Sequence, residues 1–179
     1  ATGLVGGQGV AVLTGLSTSF SLDAASPAGR YTVAVAGRLT NGNYRIGTSE
    51  AGTYTIDRRP ITVTADARTR LYGDADPALT YAVGGSGLAN GDRLTGALAT
   101  SAGLRSGIGP YAIAQGMLAA SANYALTYRG ADLTVTARPI TVFADPQTRP
   151  AGTANPALTY TVGGLGLVAG DSLTGALAT

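Results

Sequence analysis

The sequence contains no cysteine, histidine, lysine or tryptophan, and these absences exclude whole classes of chemistry. Without histidine and cysteine, Ser-His-Asp and Cys-His catalytic arrangements are unavailable and the common zinc sites lose their ligands. Without lysine, intramolecular isopeptide bonds cannot form. The lack of cysteine fits a reducing compartment, but it equally fits a surface protein that crosses an outer membrane unfolded. We expect a protein that is not an enzyme.

Charge is also scarce. Only 12% of the residues are charged, and the net charge is +2. The one basic pair, Arg58-Arg59, is interpreted as a solvated hinge, so we expect no nucleic-acid partner. No apolar run approaches the ~18 residues of a membrane span, and the start does not read as a signal peptide. We expect no membrane insertion, and both ends look like cuts through a longer protein.

What remains is a set of residues typical of β-strands. Hydrophobic residues make up 45% of the chain, which is too high for a disordered sequence. They are mostly Val, Leu, Ala, Tyr and Ile, accompanied by many threonines and 27 glycines. These are the β-branched and small residues of a strand-rich fold with many turns.

The chain also repeats itself. Residues 59–100 and residues 138–179 are identical at 30 of 42 positions without a gap, which chance does not produce. Residues 1–58 align more loosely with the stretch that follows Gly87. We therefore predict repeat 1 (residues 1–58, the later part of a module), repeat 2 (residues 59–137, complete) and repeat 3 (residues 138–179, the first part). An alternative frame has folding units of about 1–85 and 86–164 plus a tail.

The pattern predicts an all-β or mainly β fold. "ITVTA" and "ITVFA" alternate β-branched residues, and "ALTYAV", "PYAIAQGML", "YALTYRG" and "ADLTVTA" also read as strands. "RLYGDADP" has turn chemistry, and "GLANGDRL" allows at most one short helical turn per repeat. Small β-sandwich and β-grasp-like modules both suit this strand count.

The joins between repeats have no flexible linker. "LTVTA" runs directly into "RPITV", whereas a flexible linker would contain several small polar residues. Pro60 and Pro139 cannot donate to a sheet ladder, which suits the point where a strand leaves one sheet for another. We expect an elongated array in which neighbouring repeats are each other's partners.

The segments "RPITVTAD", "YGDADPALTY", "GLANGDRLTGAL" and "NYALTYRGADLTV" closely resemble the MBG domain, a repeat of large bacterial surface adhesins, many of them filamentous-haemagglutinin-like exoproteins. The resemblance is strong over residues 59–179 and continues more weakly over 1–58. It implies an extracellular setting, on the bacterial cell surface or secreted, and a role in adhesion or biofilm formation. It implies no catalytic residues. We expect no cofactor apart from a possible calcium ion.

Acidic residues offer the main candidates for a metal site. Asp74, Asp76 and Asp92 are candidate calcium ligands, because calcium needs six to eight oxygens, usually from several carboxylates. Asp74 and Asp76 become Thr153 and Asn155 in the next copy. That change also counts against a catalytic carboxylate pair. Turn formation explains these aspartates better than calcium does.

Tyrosines raise the possibility of glycan binding. Most of the nine recur in phase, which favours packing within strands. Tyr72 differs because its counterpart is Ala151, so it is the candidate exposed ligand-binding residue. The sequence therefore predicts a structural stalk or spacer repeat. The alternative is a module that binds glycans or mucin weakly and acts through multivalency.

Overall fold

The computed structural model describes residues 16–18, 21–37, 39 and 42–178, and within them the chain is all β. Among these described residues there are thirteen strands and no helix. In the first third of the chain they are β1 (Leu16–Thr18), β2 (Gly29–Val33), β3 (Val35–Gly37) and β4 (Gly52–Ile56). The remaining strands are β5 (Arg59–Ala65), β6 (Arg68–Leu71), β7 (Tyr81–Gly85), β8 (Ala99–Thr100), β9 (Gly109–Ala114), β10 (Tyr124–Arg129), β11 (Ala131–Thr136), β12 (Ile140–Ala144) and β13 (Tyr160–Gly164).

The strands form five small sheets in the described part of the chain. Repeat 2 contributes a three-stranded sheet of order β10-β5-β7 and a four-stranded sheet of order β6-β11-β9-β8. The others are the pairs β1-β3, β2-β4 and β12-β13. Most pairings whose register is known are antiparallel, but β6 runs parallel to β11, with Arg68 opposite Leu133.

Strand β5 shows why this sequence forms a half-buried strand. Successive side chains point to opposite faces, so Ile61, Val63 and Ala65 share one face, where they are 1%, 0% and 5% exposed. The threonines between them are less buried. Ala65 packs against Ile113 of β9 and Leu133 of β11. The end of β5 therefore packs against β9 and β11 in an apolar core.

The chain divides into two compact units. The first consists of residues 1–62, 84–94 and 119–127, and the second of residues 63–83, 95–118 and 128–179. The cluster around Ala65, Ile113 and Leu133 is the core of the second unit. In the first unit, Tyr124 is 6% exposed, and its hydroxyl donates to Asp92 Oδ2 at 2.7 Å.

The all-β prediction is confirmed, with two differences in strand bounds. "RLYGDADP" contains strand β6 before its turn, because Arg68–Leu71 pairs with β11. "ALTYAV" begins its strand only at Tyr81. "GLANGDRL" agrees with the prediction, since it forms a single turn in which Asp92 N donates to Ala89 O at 2.8 Å.

Two further points concern the limits of the described chain. No helix long and apolar enough to cross a bilayer occurs among the described residues. Most of the segment "GLVGGQGVAVLTGL", on which the alignment of repeat 1 and the alternative domain frame partly depend, lies outside them.

Candidate functional site: the junctions between repeats

An arginine at the start of each new repeat is held by backbone carbonyls. In repeat 2, Arg59 Nε donates to Gly87 O at 2.8 Å, and its Nη2 donates to Ser86 O. In repeat 3, Arg138 Nε donates to Gly166 O at 3.1 Å, and its Nη2 donates to Leu165 O at 2.9 Å. Because guanidinium is a rigid planar donor, the same fork fixes the loop after the "GG" sequence in both repeats.

At the junction between repeats 2 and 3, Arg138 also reaches back to the preceding repeat. Its Nη1 donates to Asp74 Oδ1 at 2.8 Å and lies 3.4 Å from Tyr72 O. Tyr72 N in turn donates to Thr136 O at 2.9 Å, directly beside the join between β11 and β12. The segment Tyr72-Gly73-Asp74 is thereby fixed to the start of repeat 3.

Gly73 is required at this junction by both its conformation and its surroundings. Its φ is +85°, in the left-handed region that favours glycine. A Cβ on Gly73 would lie 2.2 Å from Val168 Cγ2 of repeat 3. Gly152, its counterpart, has φ +83° but nothing within 4 Å of that position. The close approach of Gly73 is therefore a contact between repeats 2 and 3.

A second contact joins equivalent turns at both junctions. Asp23–Ser26 and Gly103–Ser106 are the same turn, since in each the first N–H donates to the serine Oγ at 2.9 Å. The first turn accepts at Ala24 O from Asn90 Nδ2 at 3.2 Å. The second uses Arg105 Nη2, which donates to Ala169 O at 2.8 Å. Position 169 corresponds to position 90 in the repeat, so the contact recurs although its side chains differ.

Tyr72 is a junction residue. Its ring is half-buried and its hydroxyl donates to Asp171 Oδ1 at 3.3 Å. That hydrogen bond, followed by partial desolvation, raises the pKa of Tyr72 above its usual value near 10. The ring borders a pocket of 190 Å³. The lining residues are Tyr72, Ile108, Ala137, Arg138, Ile140, Gly166, Leu167, Val168 and Asp171.

The three candidate calcium ligands each accept a hydrogen bond from a protein donor. Asp74 accepts from Arg138, and Asp76 accepts from Arg70 Nε at 2.5 Å. Asp92 accepts from the Tyr124 hydroxyl and borders a polar pocket of 200 Å³ that also includes Asp57. Among the described residues no three acidic side chains are grouped so that they would hold a metal ion. Calcium binding stays a prediction.

The recurring tyrosines fall into two groups. Tyr31 and Tyr111 each donate to the carbonyl four residues earlier, at 2.6 and 3.0 Å, and Tyr124 is buried. These positions agree with a packing role. Tyr81 and Tyr160 are 36% and 42% exposed, so they are less packed than the first group.

The junction arginines were not identified from the sequence. The sequence suggests a solvated hinge at Arg59; the residue is exposed, but its guanidinium is fixed by two carbonyl oxygens. The signal was present, because the dipeptide Arg-Pro recurs in phase at positions 59 and 138. A cation that recurs beside a proline at a repeat boundary is a candidate for a structural contact.

These observations define an all-β protein built from sequence repeats that are joined strand to strand. The family described as MBG domain (YGX type) matches residues 61–134 and 140–179, and the chain belongs to this family. Tyr72-Gly73-Asp74 fits the pattern named in that description. No curated protein and no solved structure matches the chain.

Proposed function

We propose that this chain is a stalk or spacer segment of a secreted bacterial cell-surface adhesin, whose repeats support adhesion or biofilm formation. The observation that carries the proposal is the junction between repeats 2 and 3. There Arg138 donates to Asp74, and Gly73 lies so close to Val168 that a Cβ would not fit between them. Consecutive repeats are therefore packed directly against each other.

The joins support the same role. Only Asp57 and Arg58 separate β4 from β5, and only Ala137–Pro139 separate β11 from β12. Connections this short restrict rotation, because a flexible linker needs several residues with free backbone torsions. In a spacer, each junction transmits force from one small core to the next. Neighbouring repeats of the same chain are the partners that this role requires.

Small-angle X-ray scattering tests the spacer role directly. A compact 179-residue globule would have a radius of gyration of about 16 Å. A spacer predicts a clearly larger value, extrapolated to zero concentration, and a distance distribution with a long tail. A radius of gyration near the compact value would contradict the proposal.

A glycan and mucin binding panel separates the spacer from the alternative binding module. The spacer predicts no specific retention of the chain on any glycan. Specific retention that is lost on Tyr72→Ala, and kept on Tyr31→Ala, would replace the spacer role with multivalent recognition.

A further inference from the structure

The strands by which the chain enters and leaves repeat 2 are hydrogen-bonded to each other. The chain enters along β5 and β6 (residues 59–71) and leaves along β10 and β11 (residues 124–136). β5 pairs with β10 in one sheet, and β6 pairs with β11 in the other. All four strands belong to repeat 2, so each entering strand meets a leaving strand of its own repeat.

The second of these pairs is parallel. β6 and β11 run in the same direction, from Arg68 opposite Leu133 to Leu71 opposite Thr136. Just beyond the pair, Tyr72 N donates to Thr136 O at 2.9 Å. The end of the entering segment therefore lies beside the end of the leaving segment.

The first pair is parallel as well. Arg59 is the first residue of β5, and its N–H donates to the carbonyl of Asn123, immediately before β10, at 2.8 Å. β5 and β10 therefore begin together. In this bond, and in the bond from Tyr72 to Thr136, the acceptor lies 64 positions after the donor (59 to 123 and 72 to 136). The entering and leaving segments thus keep the same offset in both pairs.

Tension along the chain loads such pairs in shear. It pulls β5 and β6 towards the start of the repeat, and it pulls β10 and β11 towards the end. Because the paired strands point the same way, these pulls slide them along each other and do not peel them apart. Hydrogen bonds between parallel strands are evenly spaced, so they share the load and must break together.

Buried contacts hold the β6–β11 pair in place. Leu133 and Val135 of β11 are 0% and 1% exposed, and Arg70 of β6 is 7% exposed. Arg70 Nη2 donates to Gly103 O at 2.6 Å, and Nε donates to Asp76 Oδ1 at 2.5 Å. β6 cannot slide past β11 without breaking these bonds around a buried cation, which is unfavourable.

We propose that the two parallel pairs, β5–β10 and β6–β11, form a mechanical clamp that makes repeat 2 resist tension along the chain. The clamp deepens the proposed spacer role, on which its use under load rests. A spacer sets a distance, and the clamp keeps that distance when the chain is pulled. Forced unfolding follows the rate of unfolding, so the resistance depends on the direction of pulling as well as on equilibrium stability.

Single-molecule pulling in an optical trap tests the clamp, and two introduced cysteines are unique attachment points because the chain has none of its own. The shear variant carries Arg58→Cys and Ala137→Cys, at exposed residues on either side of repeat 2. The peeling variant carries Ala75→Cys and Ala137→Cys, which follow β6 and β11, so the bonds of this pair break in turn. At one pulling speed, the rupture force of the shear variant should be at least about twice that of the peeling variant.

A third variant locates the resistance within the clamp. Ala67→Cys with Ala137→Cys applies the load after β5, so that only the β6–β11 pair is sheared. Its rupture force should stay above that of the peeling variant. Because all the altered residues are exposed, the three variants should melt at the same temperature. A difference in rupture force then reports the direction of pulling.

Equal rupture forces in the shear and peeling variants would overturn the clamp. A rupture force of the Ala67→Cys variant that falls to the peeling value would overturn the assignment of resistance to β6–β11. Both failures are distinct from failure of the spacer role, which scattering tests. A repeat without a clamp still allows a large radius of gyration, and a compact chain in solution would leave the rupture forces of repeat 2 unchanged.

Discussion

Arg138 Nη1 lies 2.8 Å from Asp74 Oδ1, and this ion pair links the first residue of repeat 3 to the turn of repeat 2. The two side chains are 22% and 47% exposed, so water screens the charges. The ion pair is only one of several hydrogen bonds that the Arg138 guanidinium makes. The same group also donates to the carbonyls of Leu165 and Gly166.

Arg138→Lys should therefore weaken the junction although the charge is kept. An ammonium group cannot reach two carbonyls and a carboxylate in the geometry of the fork. We expect the free energy of unfolding, measured in urea by tyrosine fluorescence, to fall by about 1 kcal/mol. Arg149→Lys is the matched control, because Arg149 is exposed and bonds Asn155 within repeat 3. Equal losses in the two variants would contradict a special role for Arg138.

A double-mutant cycle isolates the ion pair from the carbonyl contacts. Asp74→Asn, combined with Arg138→Ala, which removes the cation, should give a coupling energy of about 0.2–1 kcal/mol, the range for exposed pairs. The coupling should decrease in high salt, since partly exposed charges are screened. A coupling that salt leaves unchanged would mean that the pair acts by hydrogen bonding alone.

Gly73→Ala and Gly152→Ala separate backbone strain from the contact between repeats. Both glycines lie in the left-handed region, with φ of +85° at Gly73 and +83° at Gly152. Alanine should therefore cost about 1–2 kcal/mol at each site. Only at position 73 does the new methyl group meet Val168, which should add about 1–3 kcal/mol. Thermal unfolding of both variants measures the difference.

Val168→Ala provides the rescue for this pair of variants. Removing the methyl groups that the new Cβ would meet should return Gly73→Ala to the stability of Gly152→Ala. The same substitution in the Gly152→Ala background should give no such recovery. If Gly73→Ala and Gly152→Ala lowered the stability of the wild-type chain by the same amount, the close approach of Gly73 to Val168 would not contribute to the loss.

The sequence predicted where the strands lie better than it predicted which strands pair with each other. Alternation predicted the strand that contains Ile61, Val63 and Ala65, because side-chain period is a local property, and the structure shows that these three residues share one buried face. It did not predict the parallel pairing of Arg68–Leu71 with β11, since strands far apart in sequence meet only in the folded chain. The role of Arg138 was missed for the same reason, because its acceptors lie 27 and 28 residues further along.

Asp76→Asn tests the buried arginine of repeat 2. The Arg70 side chain is 3% exposed, and it donates to Asp76 at 2.5 Å and to Gly103 O at 2.6 Å. Removing the carboxylate charge leaves a buried cation with only neutral acceptors, so we expect a loss of about 1–3 kcal/mol. Asn155→Asp, the reverse change at the corresponding position beside exposed Arg149, should alter stability by less than about 0.5 kcal/mol. Similar effects at the two sites would contradict the importance of burial.

Val63→Ala and Val142→Ala compare one side chain in two environments. Val63 is 0% exposed, so removing two methyl groups should cost about 2 kcal/mol in chemical denaturation. Val142 is 45% exposed, so Val142→Ala should cost less than about 0.5 kcal/mol. Equal losses for Val63→Ala and Val142→Ala would contradict the dependence on burial.

Alkaline pH should weaken the junction through Tyr72. Its pKa is raised, first by the hydrogen bond to Asp171. A raised pKa in the folded state means that the contribution to stability is complete below the unfolded value of about 10 and is lost as the pH rises through the folded value.

In wild type the unfolding midpoint should fall over this pH range. The midpoint of Tyr72→Phe should fall less, because this variant has no phenol to ionise at position 72. Tyr31→Phe, which removes a hydroxyl bonded to a backbone carbonyl, is the control and should follow wild type. A Tyr72→Phe profile that coincides with wild type would rule out Tyr72 as a source of the alkaline loss.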